Sequence, residues 1–104
     1  MLLSELLGQI DYERTASFRD VEIGGIGTDS RHILHGDLFI CFAGGEHDGH
    51  DYAAEALAAG AAALAVEREL PLDVPQIIVR DGRRAVAEIA AAYYGHPEKE
   101  LKMI

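Results

Sequence analysis

The run Leu38–Ala43 constrains the fold of this chain more than any other segment. It reads Leu-Phe-Ile-Cys-Phe-Ala, without a charged or strongly polar side chain. A strand this uniformly apolar is typical of a sheet that is covered on both faces, because a half-exposed strand alternates apolar and polar residues. His35-Gly36-Asp37 before the run indicates a turn. The run therefore predicts a buried strand between layers of helix.

Three segments have the apolar spacing of helices. Leu2, Leu3, Leu6 and Leu7 predict a short N-terminal helix. A second helix is predicted over residues 52–57, with Asp48 or Asp51 as its N-cap and Gly60 as its end. A third is predicted from a cap at Asp81 to about Tyr94, before Gly95-His96-Pro97.

Further strands are predicted between and beyond these helices. They cover Val21, Ile23 and Ile26 with an interruption at Gly24-Gly25, then residues 61–66, 76–79 and 101–104. From Leu38 onward the order is strand, helix, strand, strand, helix. This order predicts an α/β fold in which helices flank a small sheet with at least one parallel crossover.

Composition sets limits on the class of protein. The chain has 104 residues, 49% apolar, which fits one folded domain. No apolar run reaches the roughly 20 residues of a membrane span, and Met1–Glu5 lacks the basic start of a secretory signal. The formal net charge of −9 argues against general binding to nucleic acid or to anionic membranes.

The usual catalytic motifs are missing from the sequence. It contains no phosphate loop ending in Gly-Lys-Ser/Thr, and the glycines of residues 24–27 lack the spacing of a dinucleotide fingerprint. His47-Asp48-Gly49-His50-Asp51 has metal-binding residue types but no third anchoring cluster, so we expect no metal site. Cys41 lies among apolar neighbours and is expected to be an inert core residue.

Two polar loops flank the predicted central strand. The first comprises Thr28, Asp29, Ser30 and Arg31, and the second comprises Gly45, Glu46, His47, Asp48 and Gly49. Hydroxyls, a guanidinium and backbone amides at a helix start are the donors that an anionic polar ligand needs. The alternative is structural, with Asp29-Ser30-Arg31 a simple turn and Asp48 only a helix cap.

A resemblance to a known family is carried by four motifs spread over about forty residues. In order these are Thr28-Asp29-Ser30-Arg31, Gly36-Asp37-Leu38-Phe39, Asp48-Gly49-His50-Asp51-Tyr52, and Ala56 to Gly60-Ala61. Together they resemble the N-terminal domain of the Mur ligases, the bacterial enzymes that add amino acids to the peptidoglycan precursor. Tyr93–Pro97, followed by Lys99–Ile104, resembles the join to the ATP-binding domain in the MurE type. The MurF type shares the earlier motifs but usually lacks this join.

The resemblance implies a fold, a reaction and a place in a larger enzyme. The fold is a small mixed sheet flanked by helices, as in the N-terminal domains of MurE and MurF. Residues 1–100 would bind the precursor UDP-N-acetylmuramoyl-L-alanyl-D-glutamate, and residues 101–104 would begin an ATP-binding central domain. The full-length bacterial cytoplasmic enzyme would use ATP and magnesium to activate a carboxylate as an acyl phosphate. An amine of diaminopimelate or lysine would then attack, while this segment alone would be inactive.

Site residues carry over from the family motif by motif. Thr28 and Ser30 would contact the UDP group, and Gly45, Glu46 and His47 would form the uracil-side loop, largely through their backbone. Asp29, Arg31 and Asp37 would pin the loops. The resemblance implies no catalytic residue and no metal ligand in this segment. His35 stands where the family often has Pro.

Two other classes of function remain open at this point. The chain could be a stand-alone module that binds UDP-sugars without chemistry, or a structural α/β domain that mediates subunit contacts. Within the family, it could also be the N-terminal domain of a MurF-type ligase.

Overall fold

The computed structural model describes residues 2–8, 10–44 and 47–94, which form a sheet between two layers of helix. The strands are β1 (Tyr12–Arg14), β2 (Gly25–Gly27), β3 (Asp37–Ile40), β4 (Ala43–Gly44), β5 (His47–Asp48), β6 (Ala63–Val66) and β7 (Gln76–Val79). The α-helices are α1 (Leu3–Leu6), α2 (Ala53–Ala58) and α3 (Gly82–Tyr94), and 3-10 turns cover Ser30–His32 and Gly49–Tyr52.

Five of the strands form the main sheet, in the order β1-β7-β6-β3-β2. Strands β2, β3, β6 and β7 are parallel, and β1 is antiparallel to β7. The α/β fold with a small mixed sheet is therefore confirmed. Because parallel strands all end at the same edge, the segments that follow β2, β3, β6 and β7 meet there. Strands β4 and β5 form a separate antiparallel pair.

Side chains alternate between two cores on the two faces of the sheet. In β3, Leu38 and Ile40 join a core with α1 and α3, whereas Phe39 joins a core with α2. All four residues of β3 and all four of β6 are buried. The apolar run thus has the two-sided burial that its composition predicts.

The predicted caps at Asp81 and Gly60 lie at helix ends, whereas the predicted cap of α2 at Asp48 or Asp51 is wrong: Tyr52 is the N-cap of α2, and Asp48 caps the 3-10 turn that precedes it. The Asp81 carboxylate accepts hydrogen bonds from the backbone N–H groups of Arg83 and Arg84, at 3.0 and 3.3 Å. Gly60 has a φ of +111°, a left-handed conformation that L side chains rarely adopt, and follows α2 closely. At its far end, α3 is tied to the segment before β2, since the Tyr93 hydroxyl donates to the Gly24 carbonyl at 2.6 Å.

Three strand predictions differ from the structure. Strand β1 lies in a stretch that the sequence analysis leaves without a strand, because an edge strand of three largely exposed residues carries no apolar pattern. The central strand ends at Ile40, and Ala43 belongs to β4. The strand predicted to include Val21, Ile23 and Ile26 covers only Gly25–Gly27, so Val21 and Ile23 lie before it. The predictions for residues 95–104 lie outside the described residues. Within the described chain, no helix is long and apolar enough to cross a membrane.

Candidate functional site

A cleft of about 520 Å³ lies at the edge where the parallel strands end. It is lined by Thr28, Asp29, Ser30, Arg31, Ile40, Phe42, Gly49, Tyr52 and Glu55. The loop after β2 and the turn before α2 therefore come together, on either side of the end of β3. Crevices outside the carboxyl ends of strands are the common ligand sites of open α/β sheets.

The first loop is held by a local ion pair. Asp29 caps the Ser30–His32 turn by accepting the backbone N–H of Arg31 at 2.9 Å. The same carboxylate accepts two hydrogen bonds from the Arg31 guanidinium, at 3.0 and 2.9 Å. These bonds lower the pKa of Asp29 to about 2. The positive charge of Arg31 is thus largely neutralised by its ion pair with Asp29.

Ser30 is the buried polar residue of this loop. Only 6% of its surface is exposed, and its hydroxyl has no hydrogen-bond partner within the described part of the chain. Burying a hydroxyl without a hydrogen-bond partner costs free energy. Such a group therefore normally bonds a ligand or a water molecule, or marks a strained site. Because Ser30 lines the cleft, its hydroxyl is available to a bound molecule.

The second loop is fixed by a buried histidine. The side chain of His50 is fully buried, and its Nδ1 lies 2.6 Å from Asp48 Oδ1. Its Nε2 accepts the backbone N–H of Glu67 at 2.9 Å, so Nδ1 carries the proton and donates to Asp48. Hydrogen bonds from the backbone and ring of His50 lower the pKa of Asp48 to about 2. His50 therefore fastens the turn before α2 to the end of β6.

The start of α3 packs directly against the end of β3. The Glu67 carboxylate accepts the backbone N–H of Gly82 at 2.6 Å. A Cβ on Gly82 would lie 2.4 Å from Phe42 Cβ and 2.6 Å from the Cys41 carbonyl oxygen, so only glycine fits this approach. The first turn of α3 is thereby held beside Phe42, which lines the cleft.

The remaining predicted site residues lie in different places. Thr28 lines the cleft and is exposed. Gly45 and Glu46 lie outside the described residues, and His47 contributes backbone to β5. Asp37 is buried away from the cleft lining, where its Oδ2 accepts the backbone N–H of Leu34 at 2.9 Å.

The sequence pattern does not indicate that Phe42, Tyr52 and Glu55 line the cleft. Phe42 belongs to the apolar run and Tyr52 to the apolar side of a predicted helix, so the pattern predicts core positions for both. Tyr52 is 38% exposed, however. The signal that could have found them is their position at the carboxyl end of β3 and at the start of the following helix.

Metal and thiol chemistry find no support in the described residues. Among them, no group of three or more His, Cys, Asp or Glu side chains could hold a metal ion. Both ring nitrogens of His50 are engaged within the protein. Cys41 is fully buried, which raises the pKa of its thiol to about 12. The prediction that Cys41 is a core residue is confirmed.

A second cleft, of about 690 Å³, lies between β7 and α3. Its lining includes four carboxylates (Asp11, Glu67, Asp81 and Glu88) and two guanidinium groups (Arg80 and Arg84). Glu67 and Asp81 already accept amides at the start of α3. Both clefts have twice as many carboxylates as guanidinium groups, but it is the smaller one that is lined by the predicted site residues Thr28 and Ser30.

Comparisons with known proteins identify similar sequences over most of the chain. A family described as "Mur ligase family, catalytic domain" matches residues 22–94. The UDP-N-acetylmuramoyl-L-alanyl-D-glutamate–2,6-diaminopimelate ligase of Bacillus velezensis is 44% identical over the whole chain, and that of Listeria monocytogenes serotype 4b is 39% identical. In each case the chain spans 21% of the relative's length.

Solved structures of a second ligase type have the same fold. A crystal structure of MurF from Acinetobacter baumannii superimposes with a TM-score of 0.76 and 30% identity, over 86% of this chain and 20% of that one. MurF from Thermotoga maritima, in complex with ADP, superimposes with a TM-score of 0.57 and 31% identity, over 62% of this chain and 15% of that one.

Proposed function

The chain belongs to the Mur ligase family, and from that premise we propose that it binds the UDP end of UDP-N-acetylmuramoyl-L-alanyl-D-glutamate. It would do so as the N-terminal domain of a ligase for cell-wall synthesis in the bacterial cytoplasm. Residues 1–100 would form this domain, and residues 101–104 would begin the central one. The central and C-terminal domains would act on the precursor in cis.

The hydroxyl of Ser30, which has no hydrogen-bond partner among the described residues, is the observation that carries this proposal. It is 6% exposed and lines a cleft at the carboxyl ends of the strands. A ribose or diphosphate oxygen would accept a hydrogen bond from it and offset the cost of burying it. Thr28 offers a second hydroxyl in the same loop. Tyr52 and Phe42 offer aromatic surface for a nucleobase.

The other predicted residues keep supporting roles in the proposal. The Asp29–Arg31 pair would hold the first loop in shape, and Asp37 would hold the turn before β3. Gly45, Glu46 and His47 would complete the uracil side of the site, as the family resemblance implies.

ATP and magnesium are not assigned to this segment in the proposal. The sequence has no phosphate loop, and no side-chain group in the described residues could hold a metal ion. We therefore assign ATP, magnesium and amide-bond formation to the other domains of the proposed ligase. Contacts to the UDP group, far from the reacting carboxylate, would position that carboxylate for reaction.

The proposed ligase type is MurE, which adds diaminopimelate in the relatives named above. Sequence identity of 44% to that type exceeds the 30% to MurF. The likeness to solved MurF structures does not oppose this choice, because both types act on precursors with the same UDP end. A domain that binds this end can keep one fold in both.

A calorimetric ligand panel tests the proposal. We expect the 104-residue chain to bind the UDP-muramoyl dipeptide and UDP, and to bind ATP and CDP at least about tenfold more weakly, which is 1.4 kcal/mol. A chain with no measurable heat at millimolar precursor, or with equal affinity for ATP and UDP, would contradict the proposed function. Equal affinities for UDP and for the UDP-muramoyl dipeptide would support the assignment of the UDP end, because the dipeptide portion would then contribute no binding.

A further inference from the structure

We propose that Arg83, in the first turn of α3, is the cation that binds the diphosphate of the nucleotide in the cleft. No motif of the family resemblance includes this residue. The inference rests on the proposed function, since it specifies which charge that ligand would meet.

Among the described residues that line the cleft, no cation is free of a carboxylate partner. Its lining carries the carboxylates Asp29 and Glu55 against the single guanidinium of Arg31. Arg31 is bonded to Asp29 through two nitrogens. With a net charge of −9 for the chain, a diphosphate needs a nearby positive charge that is not already neutralised.

Most arginines at this edge of the sheet are paired with carboxylates. Arg68 lies 3.2 Å from Asp48 and Arg84 lies 3.3 Å from Glu88. Arg83 differs from them, because its guanidinium has no carboxylate partner within residues 2–8, 10–44 and 47–94. It lies instead over the ring of Phe42, with Cζ 5.8 Å from the ring centroid.

Phe42 connects Arg83 to the cleft. The ring lines the cleft together with Ser30 and Gly49, and the close approach at Gly82 holds the first turn of α3 against it. A guanidinium that lies over an aromatic face still has its N–H groups free to donate hydrogen bonds to an anion. An arginine can donate two parallel hydrogen bonds to phosphate oxygens, which suits a diphosphate better than a lone hydroxyl does.

Two neighbouring variants, Arg83→Gln and Arg84→Gln, test the assignment. Both variants remove one positive charge from the same helix turn, but the Arg84 guanidinium donates a hydrogen bond to the Glu88 carboxylate. We expect Arg83→Gln to weaken UDP binding about fivefold or more, and Arg84→Gln to change it less than about twofold. Neither variant should change the affinity for uridine, which lacks the diphosphate. The affinity of the unchanged chain for UDP should also fall more steeply with added salt than that of Arg83→Gln.

The outcomes separate this inference from the proposed function. If the unchanged chain binds UDP and Arg83→Gln binds it equally well, the assignment of Arg83 is wrong while the proposed function stands. Equal losses in both variants would show a general effect of charge and would also overturn it. A loss of uridine binding in Arg83→Gln would show that the variant disturbs the cleft itself and contradicts a diphosphate role. If the unchanged chain binds neither UDP nor uridine, both proposals fail.

Discussion

Two nearly buried polar residues beside the cleft, Ser30 and His50, differ in their partners. Both ring nitrogens of His50 are bonded within the protein, whereas the Ser30 hydroxyl has no partner among the described residues. The first arrangement stabilises the fold, and the second leaves a donor for a ligand. Substitutions at the two positions should therefore affect different measurements.

Ser30→Ala should separate binding from stability. The hydroxyl makes no hydrogen bond within the described residues, and burying it costs free energy, so its removal should leave the free energy of unfolding unchanged or raise it by up to about 1 kcal/mol. The same variant should bind the UDP-muramoyl dipeptide about fivefold more weakly. Urea unfolding and calorimetry measure the two quantities.

Ser4→Ala is the matched control for Ser30→Ala. The Ser4 hydroxyl donates to Asp20 Oδ2 at 2.7 Å, far from the cleft. We expect this variant to lose about 0.5–1 kcal/mol of stability and no affinity for the ligand. A Ser30→Ala protein that unfolds as easily as Ser4→Ala but binds normally would reverse the assigned roles.

His50→Ala should destabilise the fold substantially. The change leaves a cavity, an unpaired backbone N–H at Glu67 and an Asp48 carboxylate with fewer donors, so we expect a loss of about 3 kcal/mol. His50→Gln can keep an acceptor for the Glu67 backbone N–H, and His50→Asn can keep a donor for the Asp48 carboxylate. Each of these variants should therefore lose less stability than His50→Ala. An unchanged urea midpoint for His50→Ala would contradict the structural role of the histidine.

The Asp48 carboxylate should make stability depend on pH in a defined window. Its pKa is lowered from 3.8 to about 2 by the bonds from His50, with Arg68 also close. A lowered pKa in the folded state means that the ionised group stabilises the fold above pH 4 and loses this effect as the pH falls towards 2. Asp48→Asn should therefore be less stable than the unchanged chain at pH 6, with the difference shrinking at pH 2–3. A difference that is constant with pH would contradict this role.

At the scale of elements, the strands and helices that bury a regular apolar pattern could be predicted from the sequence. Strand β7 has the predicted bounds, and Asp81 caps α3 as expected. Strand β1 could not be predicted, because its place is set by pairing with β7 rather than by its own side chains. The two polar loops could be predicted to flank the central strand, but the close approach of α3 to Phe42 depends on tertiary packing that no local pattern encodes.

The start of α3 should not tolerate a side chain at Gly82. A methyl group there would lie 2.4 Å from Phe42 Cβ, so Gly82→Ala must push the helix away from β3 and should cost about 1–3 kcal/mol. Gly8→Ala is the control, since the nearest atoms to its Cβ would lie at 3.6 Å. Thermal unfolding compares the two, and equal melting temperatures would show that α3 does not need this contact.

At the scale of the whole molecule, one small sheet brings the donors to a single edge. Four parallel strands end there, and the loops after β2 and β3 supply the cleft. The acidity of the chain sets a requirement, because an anionic ligand must be bound by local donors against a net charge of −9. The chain spans about a fifth of the length of the relatives named above.

We propose that the cleft beside Ser30 binds the UDP end of the precursor, and an amide NMR titration of this chain locates the bound ligand residue by residue. With added UDP-muramoyl dipeptide, we predict chemical-shift changes concentrated at Thr28–Arg31, Phe42 and Gly49–Tyr52, and the same pattern with UDP alone. Shift changes confined to the second cleft around Asp81 and Glu88, or no changes at millimolar ligand, would contradict the account.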